Sequence, residues 1–152
     1  MIRIVRTPGA LCDLEGLTLT SALDLAVTQE MVDRFVAVSG DRQWIHTDTR
    51  RAARELADGA TIVPGGLLVA LLPRLVQHAY RVERFSKAVT AEYRQVRFRH
   101  PLPTGSSIRA TVAIRSAVKS SAFVTVKSAC RVTQAQTGAC ILTAGMTDVY
   151  FD

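Results

Sequence analysis

Thr61-Ile-Val-Pro-Gly-Gly-Leu-Leu-Val-Ala-Leu-Leu-Pro-Arg-Leu75 decides the fold of this chain. From Gly65 to about Tyr80 it reads as one long helix, almost wholly apolar in its first two turns, and such a helix must be buried on most sides. Pro73 falls inside it, where a proline bends the helix or removes one backbone bond. Downstream, the apolar period changes to two. Val89 to Phe98 is one strand. Ile108, Ala110, Val112 and Ile114 alternate with Arg109, Thr111 and Arg115 in the next. Val124, Val126, Ser128, Cys130 and Val132 mark a third, and Leu142, Ala144 and Met146 a fourth. Pro101-Leu-Pro-Thr-Gly105, Lys119-Ser-Ser and Gln134-Ala-Gln-Thr-Gly138 are the turns between them. One buried helix followed by an antiparallel sheet with a solvated face is an α+β arrangement.

Upstream of the buried helix, Ala22 to Val27 alternates enough to be an opening strand. Thr28 to Ser39 then has apolar residues at Met31, Val32, Phe35, Val36 and Val38, near helical spacing. Thr28 is its N-cap, Glu30 and Asp33 suit its first turns, and Gly40 is a left-handed stop. Asp48 reads as the N-cap of a short second helix, Thr49 to Leu56. Between the two lies Gly40-Asp-Arg-Gln-Trp-Ile-His-Thr-Asp48, which sets a carboxylate, Asp41, and an imidazole, His46, on one short connection. An acid and a base at a rigid loop end can converge on one small molecule. Taken singly, each has a plainer explanation: aspartate is common after a helix, and a histidine beside apolar Trp44 and Ile45 is more often buried on a backbone partner.

Together these blocks resemble the MaoC-like dehydratase family, most closely its NodN-like branch. Its signature is Gly-Asp followed by a His with an acidic residue two further on, here Gly40-Asp41 and His46-Thr47-Asp48. Gln43-Trp44 is the variant of the NodN-like branch. The Thr61–Leu75 block comes at the expected distance, with Pro64 where the family usually has histidine. Tyr93-Arg-Gln-Val-Arg-Phe-Arg-His-Pro-Leu-Pro-Thr-Gly105 is similar to a third family segment. The resemblance covers roughly residues 17–150. It implies a single hotdog domain over 1–152, in which a curved sheet wraps the central helix, and a homodimer joined edge to edge.

The resemblance also implies a chemistry: reversible syn hydration of a trans-2-enoyl thioester to an (R)-3-hydroxyacyl thioester. Asp41 and His46 would handle the water, and the Gly65 backbone N–H would meet charge on the thioester oxygen. Gln43 would hold the Asp41 carboxylate or the water. Trp44, Leu67, Leu68 and Leu71 would line or back an acyl tunnel, widened by Gly66 where relatives carry Phe or Met. Arg94 and Arg97, with Arg84, Lys87 and Arg99, would meet the phosphates of coenzyme A or the arm of an acyl carrier protein. No metal or redox cofactor is implied; coenzyme A or phosphopantetheine arrives as part of the substrate. A hotdog thioesterase and a non-catalytic acyl-thioester-binding module are the alternatives.

Composition agrees with a folded domain: 152 residues, 48% hydrophobic and 21% charged, enough for one core. The longest apolar run, Ala60 to Leu72, is too short and too interrupted to span a bilayer, and the N-terminus lacks a signal-peptide layout. The expected compartment is the cytoplasm. Cys12, Cys130 and Cys140 form no CxxC pair and read as small buried thiols. His46, His78 and His100 lack metal-ligand spacing, and the latter two read as surface or packing residues. Charge is lopsided: residues 1–76 carry 8 basic and 9 acidic side chains, residues 77–152 carry 11 and 4. A basic half suits an acidic carrier protein or a phosphate-bearing ligand. Nucleic acid is disfavoured by 6% aromatics and the lack of any basic helical stripe or binding motif.

Overall fold

A computed structural model describes residues 1–152. A short strand β1 (Arg3–Val5) leads through a 3₁₀ helix (Pro8–Leu14) to β2 (Thr18–Thr20) and β3 (Leu25–Ala26). Helices α1 (Gln29–Ser39), α2 (Trp44–Thr47), α3 (Thr49–Glu55), α4 (Gly65–Ala70) and α5 (Leu72–Gln77) follow. After β4 (Tyr80–Val82) come the long strands β5 (Lys87–Phe98), β6 (Ser107–Lys119), β7 (Phe123–Gln134) and β8 (Cys140–Phe151). The six-stranded sheet has the order β2-β6-β7-β8-β5, with β3 extending the β2 edge along β6. Every pairing in it is antiparallel. Separately, β1 and β4 form a parallel pair.

The alternating residues of the long strands build the core. Ile108, Ala110, Val112, Val124, Val126, Val132, Leu142 and Met146 are all buried, and with Leu68, Leu72, Leu75 and Val76 of the helices they belong to one cluster of 31 residues. The α+β arrangement holds, with the sheet packed on the α4–α5 rod. The helices are short, and none is long and apolar enough to cross a membrane.

Four expectations need correction. The rod is two helices, because Leu71 ends α4 and Pro73 sits in the first turn of α5. A proline is tolerated there, where an N–H has no intrahelical acceptor, but not in a helix interior. The rod also ends at Gln77, so that Tyr80 opens β4. The opening strand shrinks from residues 22–27 to Leu25–Ala26, since Ser21 and Ala22 give their N–H groups to Ala110 and His78 carbonyls. Of the cysteines, Cys130 is buried and burial pushes its thiol up to about 11, whereas Cys12 and Cys140 are only half-buried.

Strand β5 is an edge. It pairs with β8 alone and is exposed at every residue but Val96, with Val89, Tyr93 and Phe98 at 49%, 38% and 54%. Beside it Asp148 is buried on the inner face of β8, accepting a hydrogen bond from the Thr90 hydroxyl at 2.7 Å. Burial raises its carboxyl above the ordinary range, and the Thr90 bond only partly offsets this. A folded-state value above the unfolded one contributes stability at low pH that is lost as pH rises through the folded value. Asp148→Asn should therefore gain in melting temperature on the parent protein as pH is raised from about 4 to about 7. Paired melts check this; a constant gap would mean that no ionisation is linked to folding there.

Candidate active site

Helix α1 places the first candidate. Thr28 caps it, its hydroxyl accepting from the Met31 N–H, and Gly40 ends it in the left-handed conformation at φ 77°. Asp41 follows, half-exposed. The connection is not a plain loop: Trp44–Thr47 makes one helical turn, α2, with Gln43 as its N-terminal flank. That turn carries His46 inward to 7% exposure. Asp48 then caps α3, accepting from the Arg51 N–H at 2.9 Å.

The dyad geometry follows from one carbonyl. His46 Nδ1 lies 2.6 Å from the Ile62 oxygen, which can only accept, so Nδ1 carries the proton. In the neutral ring Nε2 is then an acceptor, and it stands 3.7 Å from Asp41 Oδ2. That distance is too long for a direct hydrogen bond but suits one water donating to both.

Residues around the dyad fix it. Ile62 returns its N–H to the Ile45 carbonyl at 2.8 Å, so the two segments clamp each other. The Gln29 amide donates to the His46 carbonyl and to Asp33 Oδ1, both at 2.8 Å, and its oxygen accepts from the Thr61 hydroxyl. Thr104 in turn lies 2.8 Å from Thr61. Sequence reading passed over Gln29, Thr61 and Thr104. Polar residues at a helix start and in turns carry no periodic signal, and their convergence is visible only in three dimensions.

A cavity of about 450 Å³ joins His46 to Gly65, with Leu68, Phe98, Arg99 and His100 among its walls. The Pro64 carbonyl takes the first helical amides, from Leu67 at 3.0 Å and Leu68 at 3.3 Å. The Gly65 N–H thus has no acceptor within α4, as for any first-turn amide. A side chain at Gly65 would strike Phe98, whose Cζ lies 2.7 Å from the position of a Cβ. Glycine lets the Phe98 ring lie over the start of α4.

Other expected residues lie elsewhere. Gly66 does not line the cavity; it is exposed, and a Cβ there would come within 2.9 Å of Phe35 Cζ, so the end of that ring stands where a wider tunnel was expected. Leu67 and Leu71 are buried in the core, and Leu68 alone of the three reaches the cavity. Trp44 is covered by the Arg51 guanidinium at 3.9 Å from the ring centroid. Gln43 is exposed and contributes its carbonyl, which accepts from the His46 N–H and the Thr47 hydroxyl. Arg94 and Arg97 pair with Gly145 and Thr143 on the outer sheet face, whereas Arg99 stands at the cavity. His100, read as a surface or packing residue, is exposed and also lines the cavity, its Nδ1 donating to the Cys140 carbonyl at 2.9 Å.

Comparison with known proteins fits this geometry. The family model described as "MaoC like domain" matches residues 15–136, most of the chain. The chain belongs to the MaoC-like domain family. Among its MaoC-like relatives, 3-hydroxyacyl-thioester dehydratase Z of Mycobacterium tuberculosis is 44% identical over 87 residues, 57% of each chain. Nodulation protein N of Rhizobium meliloti is 32% identical over 98 residues, 62% of this chain and 60% of that one. The matches thus span less than two thirds of these relatives. The unliganded R-hydratase of Pseudomonas aeruginosa superposes with a TM-score of 0.70 at 20% identity, over 90% of this chain and 81% of that one. That likeness is one of fold, and the fold is the hotdog.

Proposed function

We propose that this MaoC-like domain adds water reversibly across the double bond of a trans-2-enoyl thioester, giving the (R)-3-hydroxyacyl thioester. The observation that carries the reading is the His46 ring, its Nδ1 proton spent on Ile62 and its Nε2 3.7 Å from Asp41 Oδ2, close enough for one water beside the pair to donate to both. The water oxygen attacks C3 while the dyad takes one of its protons, and the dyad returns a proton to C2. Both deliveries come from one side of the double bond, which gives syn addition. Charge that gathers on the thioester oxygen meets the amide of Gly65, which lines the cavity together with His46. The step moves only the elements of water, so the residues named suffice without a redox group. The name of the dehydratase relative supports this reading.

Arg99 and His100 at the cavity supply cationic and polar contacts for a coenzyme A or carrier-protein thioester, a role expected of Arg99 together with Arg94 and Arg97. The protein works as a homodimer, with β5 of two copies pairing to continue the sheet, because a twelve-residue edge bearing exposed Val89, Tyr93 and Phe98 needs a partner. Light scattering should report a dimer at micromolar concentration; a monomer would overturn that part.

Crotonyl-CoA followed at its enoyl absorbance, with free thiol monitored in parallel, tests the activity. Loss of absorbance without thiol is expected. Thiol release would instead identify a thioesterase, and no change in either a binding module.

A further inference from the structure

The outer face of the sheet carries a second hollow, of about 440 Å³, which shares no residue with the His46 cavity. Its floor crosses paired positions of three strands, Ala113 in β6, Ala129 in β7 and Gly145 in β8. Arg94, Arg115 and Arg131 stand around it, and no carboxylate lines it.

Irregularities in two strands aim these arginines. In β6 the pairing to β7 shifts between Ile114 and Ser116, which leaves Arg115 as a bulge residue. In β5 the pairing to β8 shifts between Arg94 and Arg97, and Gln95 takes φ 50°. A bulge bends its strand and redirects the side chains beside it. Gly145 completes the arrangement. Arg94 lies across it, with Cγ and Nε 2.8 Å and 3.1 Å from where a Cβ would stand, so any side chain there would displace the arginine.

The arginines in ion pairs are others: Arg34, Arg51 and Arg109. Three unpaired guanidinium groups around one hollow repel each other and focus a positive field into it. An anion between them converts that repulsion into attraction, and guanidinium forks match the oxygens of phosphate in pairs. A volume of this size falls within the range of about 300–1,000 Å³ common for small-molecule sites.

We propose that this groove binds a phosphate-bearing small molecule, of the class of diphosphate and nucleoside diphosphates, at a site distinct from the His46 cavity. The proposal does not depend on the reaction assigned to that cavity. Calorimetric titration of the full chain with inorganic diphosphate, and separately with ADP, tests it. Saturable binding of one equivalent per chain is expected. Arg115→Gln and Arg131→Gln should each weaken it by about tenfold, the equivalent of about 1.4 kcal/mol. Arg109→Gln, on the same face but paired with Asp24, should leave it unchanged, as should Asp41→Asn. Absence of saturable binding in the millimolar range would overturn the proposal. So would binding that survives both groove substitutions, or capture of an acidic peptide with no binding of either phosphate compound.

Discussion

Asp41→Asn is expected to lower kcat/KM on an enoyl thioester by about 10²-fold or more while the melting temperature stays where it was. Asn keeps the shape and loses the charge, and Asp41 is half-exposed, with its side chain spending no hydrogen bond on the fold. His46→Ala should cost turnover as much, because both groups act on the same water and losing either stalls the same step. Its effect on stability differs. Removing the ring strips the Ile62 carbonyl of its donor, and a buried polar group left unpaired costs about 1–3 kcal/mol. The histidine variant should therefore melt lower and the aspartate variant should not. Steady-state rates beside thermal melts separate the two effects. A near-normal rate for Asp41→Asn with an unchanged melt would remove that carboxylate from the mechanism.

Gly66→Phe should lower the melting temperature and depress rates on four-, eight- and twelve-carbon enoyl thioesters alike. The first atom of any side chain at this position already crowds the Phe35 ring at 2.9 Å. A second aromatic ring there must push the Phe35 ring of α1 aside, and such overpacking costs about 1–3 kcal/mol. Because α1 carries Gln29, and α4 begins at Gly65, that displacement disturbs the dyad and the amide donor together. A loss confined to long chains, with the melt unchanged, would put Gly66 back in the acyl tunnel.

Local chemistry made much of this protein legible in its sequence. Thr28 and Gly40 bound α1, and Asp48 starts α3, because capping depends on a few adjacent atoms. The four long strands follow from alternation that the core enforces, and Asp41 and His46 do face each other. What escaped depends on contacts between distant segments. The parallel β1–β4 pair joins residues almost eighty positions apart, and neither strand is long enough to show a period. Pro73 in the sequence allows a bend or a lost backbone bond, but whether a proline bends a helix or starts a new one depends on the packing of its neighbours, here the buried Leu72 and Leu75. Arg94 and Arg97 could be recognised as basic but not assigned to a sheet face, since the bulge between them breaks the alternation on which such assignment rests.

The reciprocal clamp between His46 and Ile62 has a wider consequence. The proposed base, carboxylate and amide donor all sit within residues 41–65, with His46 tied to Ile62 and Gln29, while the sheet supplies walls such as Phe98. If the proposed reaction holds, reactivity and substrate choice are written in different stretches of the chain. Variation at the end of β5 and just beyond it, from Phe98 to Leu102, would remodel the cavity while the spacing of the proposed reacting groups is inherited intact, and a library confined to residues 98–102 would explore substrate choice alone.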